Sequence, residues 1–273
     1  MDFKLEIFKN LIKVLLLYNY NFQTFKLSLE YSLANTIILR HDVDLKPQNS
    51  LATAIIESKH GIQGTYYFRM VPESYNEDII KHIADLGHEI GYHYENMDSV
   101  STRFRGKGIK FKNTEEERES IINAAYEEFC ENLERFRKIY PVKTVCMHGS
   151  PRSKWDNKEI WKKYDYRKLG IIGEPYIDMD FNEVFYLTDT GRRWDGFRYS
   201  VRDRVPQQQK WIEQGLVFRT TNDIIKAVKE NRFPEKAMIT IHPQRWTNNP
   251  VLWTKELLAQ NIKNVVKYLI IHA

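Results

Sequence analysis

The chain is poor in cysteine, with two, Cys130 and Cys146, among 273 residues. Two thiols make no disulfide framework, so burial has to hold the fold and a reducing compartment is acceptable. Glycine (12) and proline (9) are sparse. No linker rich in Gly, Pro or Ser divides the chain, and no repeat or low-complexity tract is present. Charge of one sign is also lacking: 41 Lys and Arg against 36 Asp and Glu leave a formal +5. That mild excess suits an anionic substrate but makes no clustered basic face, so nucleic acid is not an expected partner. A long hydrophobic run is missing too. "FKNLIKVLLLYNYNF" is interrupted by Lys9 and Lys13 and falls far short of the roughly 20 residues of a membrane span. No small-residue cleavage site follows it. It reads as an amphipathic opening helix, with no stable membrane insertion and a cytoplasmic location expected.

Hydrophobic residues make up 42% of the chain, enough for a sizeable core. Short runs rich in β-branched and aromatic residues predict strands at 36–40, 64–69, 88–93, 144–149, 169–174, 184–189, 216–220 and 237–242. Helical patterns lie between them, at 47–60 after Pro47, 76–86 before Gly87, 156–164, 222–231 and 251–271. The clearest starts at Thr114. Thr114 and Glu117 form a capping box, and Ile121, Ile122, Ala125, Phe129, Leu133 and Phe136 follow at helical spacing until Pro141. The basic run from Arg103 to Lys112 reads as a loop. Strands alternating with helices imply parallel pairing and a barrel of seven or eight units, possessing its chemistry at the strand carboxyl ends.

That rule gives meaning to the stretch "TIILRHDVDL". The first strand ends in Arg40, His41, Asp42 and Asp44, the second in Arg69, the third in His93. Later ones end in His148, Glu174, Asp189 and His242. Acids, imidazoles and arginines around one mouth suit a metal hydrolase. Imidazole and carboxylate ligate Zn²⁺, Fe²⁺, Co²⁺ or Ni²⁺. A bound ion lowers the pKa of water and polarises a carbonyl, and a further histidine protonates a leaving amine. His88 opens its strand and reads as structural, His60 and His82 as surface residues, and His41 as a neighbour of the site. Cys146, in mid-strand, reads as buried and inert. "DTG" (189–191) and "DMD" (178–180) are discounted as a protease motif and a metal site.

"RHDVD", "GHEIGYH", "HGSP" and "ITIHP", in this order, resemble the polysaccharide deacetylase (NodB-homology) family over about residues 36–245. The resemblance implies a deformed (β/α)7-8 barrel, one catalytic domain over 1–273 with residues 1–35 as a helical extension packed on it. It implies a divalent transition metal, zinc first with Co, Ni or Fe as alternatives, and hydrolysis of a non-peptide carbon–nitrogen bond. The expected partner is an N-acetylated sugar or glycan precursor. By resemblance, Asp42 is the general base, Asp44 and His93 are metal ligands, His242 is the general acid and Asp189 its orienting carboxylate. Two departures stand out. Met97 occupies the place of the family's second metal histidine, and "HGSP" replaces its arginine-proline motif. His148 is then the expected third ligand, with Glu95 as the other candidate, and Arg40 or Arg69 the partner of Asp42. Arg40, Arg69, Glu174 and Trp246 are expected to meet substrate. Two other readings accompany this one: hydrolysis of a small-molecule amide, ureide or cyclic imide, and non-catalytic carbohydrate binding on a decayed scaffold.

Overall fold

A computed structural model describes residues 1–106, 108, 114–149, 153–196 and 205–272, with the side chains of the last helix through residue 265. Its centre is a seven-stranded sheet of β1 (Asn21–Gln23), β2 (Thr36–Val43), β3 (Thr65–Phe68), β4 (Glu89–Tyr94), β5 (Val145–Met147), β6 (Phe185–Thr188) and β7 (Lys236–Ile241). All pairings are parallel, in the order β5-β4-β3-β2-β7-β6, with β1 set beside the first half of β2. The sheet curls into a half-barrel with helices alternating between its strands, a barrel as the alternation predicts and deformed as the resemblance implies. Both faces are covered, so β2, β3, β4 and β5 are buried along their whole length. Strands buried on both faces read as continuous apolar or aromatic runs, which is why they were legible.

The helices begin where local chemistry starts them. Pro47 opens α3 (Pro47–Ser58), where its missing N–H has no cost. Asn76 caps α4 (Glu77–Asp85) by accepting from the Ile79 amide. The Thr114–Glu117 capping box opens the long helix Glu115–Arg137 as expected. Another, Thr220 with Asp223, opens the helix Thr221–Lys229. Numbered in chain order, these last two are α6 and α9. The others are α1 (Leu5–Leu17), α2 (Phe25–Glu30), α5 (Asn96–Gly106), α7 (Pro175–Asp178), α8 (Gln208–Glu213) and α10 (Pro250–His272). Among the described residues no helix is long and apolar enough to cross a membrane.

Two core clusters line the sheet. One joins α1 and α9 to β2, β6 and β7 through Phe8, Leu15, Ile37, Ile239 and Val228. The other joins α4 and α6 to β3, β4 and β5 through Ile83, Phe129, Phe68, Tyr92 and Val145.

Two expected strands do not form. In 169–174, Gly170 turns left-handed (φ 71°) to end a 3-10 turn, Tyr166–Leu169, and the backbone pairs by a single bridge, Gly173 to Thr144. Residues 216–220 lead into the α9 cap instead of pairing, because the Thr220 and Asp223 side chains take the local amides. The segment expected as a 156–164 helix is the 3-10 turn Asn157–Lys162. The basic run read as a loop begins inside α5, which continues through Gly106; residues 107 and 109–112 of it lie outside the described residues.

Candidate active site

The inward-facing side chains follow from strand register. Asp42 pairs with Tyr67, and Tyr67 with Gly91. His93 pairs with Cys146. Residues level with each other on neighbouring parallel strands point to the same side, and His93 lies two residues beyond Gly91, so one interior face carries all of them. Gly91 is required there. A Cβ on it would stand 2.2 Å from Cε1 of Tyr67 and 3.0 Å from the Thr144 carbonyl oxygen.

Asp42 is buried and held on two sides by Arg40. The guanidinium donates to Oδ1 at 2.9 Å and to Oδ2 at 2.5 Å. Burial pushes the Asp42 pKa up, but Arg40, His93 and His242 outweigh it and hold the carboxyl at about 2. Arg40 rather than Arg69 therefore partners Asp42. It also lies over the Tyr176 ring, 4.8 Å from its centre.

Asp44 follows, just beyond the strand. Its Oδ1 stands 3.6 Å from Nε2 of His93 and 3.6 Å from Nε2 of His148. Both separations are too long for hydrogen bonds. They are close to the roughly 3.4 Å between ligand atoms on one tetrahedral ion with bonds of about 2.0–2.1 Å. Asp44 Oδ1 is buried and accepts no hydrogen bond. The other oxygen, Oδ2, accepts from Gln244 at 3.0 Å and lies 3.9 Å from Nε2 of His242. Burial would raise the Asp44 pKa, but the three histidines keep it well below the ordinary carboxylate range.

The imidazoles are aimed from behind. His93 Nδ1 bonds the Cys146 carbonyl oxygen at 2.9 Å, which leaves Nε2 facing Asp44 and, at 3.9 Å, Asp42. His148 Nδ1 stands 3.1 Å from Glu95 Oε2, so its Nε2 also faces Asp44. Glu95 is clamped in turn by Arg69, whose Nε and Nη2 donate to it at 3.0 and 2.7 Å. Burial raises the Glu95 pKa, but His148 and Arg69 bring it down to about 2. Burial lowers the His148 pKa, and Glu95 and Asp44 more than restore it. Arg69 also donates to the Asp44 carbonyl oxygen at 3.1 Å. Met97, buried in the α6-side cluster, turns away from the site.

Asp189 collects four donors. His242 Nδ1 bonds it at 2.6 Å, Trp246 Nε1 at 2.7 Å and Arg245 at 2.5 Å, and the His242 amide reaches it at 3.1 Å. Burial opposes the charge on Asp189, yet Arg245 and His242 keep its pKa below the ordinary value. Burial and Arg245 lower the His242 pKa, but Asp189 and Asp44 raise it overall.

Several expectations need correction. Trp246 is fully buried, packed against Phe3 and Phe8, so it offers no face to a sugar. Glu174 caps α7 and accepts from the Met147 and Tyr176 amides at 2.9 and 2.6 Å; burial pushes it up to about 7. Both of its oxygens serve the backbone rather than a substrate. His41 is not beside the site. It faces the opposite side of the sheet, stacked on Tyr66 at 4.0 Å with Nε2 2.8 Å from Glu57. His88 joins that outer cluster, as its strand-opening position expects. His60 is half-buried, whereas His82 is exposed. Asp178 of "DMD" accepts from the Tyr166 hydroxyl and the Glu174 amide, both at 2.6 Å, and is structural.

Gln244 and Arg245 escaped the sequence reading; their signal was their place directly after His242 and Pro243. The mid-strand place of Cys146 predicts a buried, inert thiol. Yet Asp42, His93 and Cys146 are, among the described residues, the set whose ligating atoms all lie within 4.8 Å of one another. The Asp44, His93 and His148 set is more open.

No family model and no curated protein matches the chain. Solved structures similar to it include a CE4 family pseudoenzyme from Bacillus anthracis, 11% identical, with a TM-score of 0.43 over 87% of this chain and 63% of that one. A mutant of that pseudoenzyme with restored enzymatic activity has 11% identity, a TM-score of 0.43 and coverage of 87% and 65%. Bacillus subtilis PdaA, a family 4 carbohydrate esterase, has 13% identity, a TM-score of 0.37 and coverage of 93% and 84%. This chain spans just under two thirds of the length of the first two.

Proposed function

We propose that this chain is a divergent member of the polysaccharide deacetylase family that hydrolyses a non-peptide amide bond, an N-acetyl group on a sugar or glycan precursor, at a divalent-metal centre. One observation carries the reading: the buried, undonated Asp44 Oδ1 stands 3.6 Å from two imidazole nitrogens, while the other nitrogen of His93 is bonded to the Cys146 carbonyl and that of His148 faces Glu95 at 3.1 Å. One carboxylate and two neutral imidazoles fit Zn²⁺ first, and Co²⁺, Ni²⁺ or Fe²⁺ after it. Asp44, His93 and His148 would hold the ion. Glu95, engaged by Arg69, acts behind His148 and not as a ligand. A bound ion supplies Lewis-acid polarisation of the acetyl carbonyl and acidifies water.

The chain's own groups supply the proton transfers. Asp42 is ionised at neutral pH, because Arg40 stabilises its charge, and it accepts a proton from the attacking water. His242 presents Nε2 to the site while Asp189 holds Nδ1. Its raised pKa keeps a proton available for the departing amine as the C–N bond breaks. Acetate and a free amine are the products. Gln244 fixes the Asp44 carboxylate, and Trp246 and Arg245 fix Asp189.

Metal analysis of purified protein is expected to find about one transition-metal ion per chain. Asp42→Asn is expected to retain the ion and lose roughly 10²–10⁴ in turnover on N-acetylhexosamine conjugates. Full activity in a metal-free preparation, or in Asp42→Asn, would overturn the reading. A substrate panel that adds cyclic imides and ureides identifies the bond.

A further inference from the structure

The same interior face brings two groups of the proposed hydrolytic centre, Asp42 and His93, together with the thiol of Cys146. Asp42 lies on β2, His93 on β4 and Cys146 on β5, and their ligating atoms all fall within 4.8 Å of one another. Each is almost wholly buried, at 2%, 2% and 0% exposure. The His93–Cys146 register pair puts the imidazole and the thiol on one side of the sheet. His93 Nδ1 is engaged by the Cys146 carbonyl, so Nε2 is the nitrogen available, and it already stands 3.9 Å from Asp42 Oδ2.

We propose that Asp42, His93 and Cys146 form a second, deeper cation position that takes a thiophilic divalent ion such as Zn²⁺ or Cd²⁺. Carboxylate, imidazole and thiolate together suit such ions and not Mg²⁺ or Ca²⁺, which want an all-oxygen shell. On binding, the Cys146 S–H bond breaks, a sulfur–metal bond forms and the proton passes to solvent; nothing is oxidised or reduced. Two anionic ligands balance the ion's charge, and Arg40 remains as the counter-charge beside Asp42.

The position matters because of what it shares. His93 Nε2 is 3.6 Å from Asp44 and can bind one ion at a time. An ion in the deeper position therefore competes with one held by Asp44 and His148, and it takes Asp42 as a ligand. Excess thiophilic metal then empties the hydrolytic centre and removes the proton acceptor together. This last consequence rests on the proposed hydrolysis, whereas the deeper position itself stands on the geometry alone.

The test is a titration of metal-free full-length protein with Cd²⁺, read by near-ultraviolet thiolate-to-metal charge-transfer absorption. The band is expected in the wild type, in Cys130→Ser and in His148→Ala, which lacks an outer ligand, and it is expected to vanish in Cys146→Ser. X-ray absorption of Cd²⁺-loaded wild type needs no variant to fold and is expected to show one sulfur neighbour. No band and no sulfur neighbour in the wild type would overturn the proposal, as would a band that survives in Cys146→Ser. An active enzyme without sulfur coordination ends this proposal and leaves hydrolysis standing. Sulfur coordination in a protein without turnover does the reverse.

Discussion

Asp44 divides its two oxygens, one toward His93 and His148 and the other toward Gln244 and His242. The whole site is built around such divided groups. His242 is one: Asp189 engages Nδ1 and leaves Nε2 for chemistry. Asp189→Asn removes the charge that lifts the His242 pKa. If protonated His242 is the acid, the alkaline limb of the kcat–pH profile is expected to move to lower pH with metal content unchanged. An unmoved limb would remove Asp189 from the positioning role. Glu95 gives a stability prediction. Its pKa falls from the ordinary 4.5 to about 2, because the pull of His148 and Arg69 exceeds the burial penalty. A depressed carboxylate contributes stability that is present above pH 4.5 and lost as pH falls toward 2, about 3 kcal/mol across the window. The melting temperature of the metal-free wild type is expected to drop across that interval, and Glu95→Gln to flatten the drop. Parallel curves for the two proteins would contradict this.

At the scale of elements, β4 shows how motif and packing answer to one constraint. The glycine inside "GHEIGYH" is there because the Tyr67 ring covers it, and the Tyr67 hydroxyl is tied to Thr144 at 3.0 Å. The ring has no room to retreat, so Gly91→Ala is expected to cost about 1–3 kcal/mol by overpacking. Thermal melting reads this directly, and a wild-type melting temperature would show the row to be looser than the geometry says. The elements missed from sequence share a cause. Their ends are set by distant contacts or by caps whose side chains compete with the ladder, as Thr220 and Asp223 do before α9. The sequence puts Met97 four residues after His93, but only α5 decides its direction. The helix begins at Asn96, and Met97 enters the core.

At the scale of the whole molecule, the N-terminal segment is part of the wall behind the site. Phe3 and Phe8 pack on Trp246, and Trp246 donates to Asp189. α1 also buries Phe8, Leu11, Ile12, Val14 and Leu15. At roughly 1.5–3 kcal/mol for each buried side chain, these five contribute an amount comparable to the entire stability of an ordinary domain. A chain lacking residues 1–17 is therefore expected to lose its near-ultraviolet circular dichroism and its cooperative melt. A sharp transition near that of the full chain would show the segment to be an appendage.

The sequence by itself determined the parallel alternation, the capped helices and the cluster of acids and imidazoles at strand ends, because periodicity, capping and strand termini are local properties. Only the tertiary structure decided which side of the sheet each group faces and what stands behind it. It sent His41 outward, enclosed Trp246, and set Glu95 behind His148. It also brought Cys146 beside Asp42 and His93, because the curl of the sheet joins strands that lie far apart along the chain.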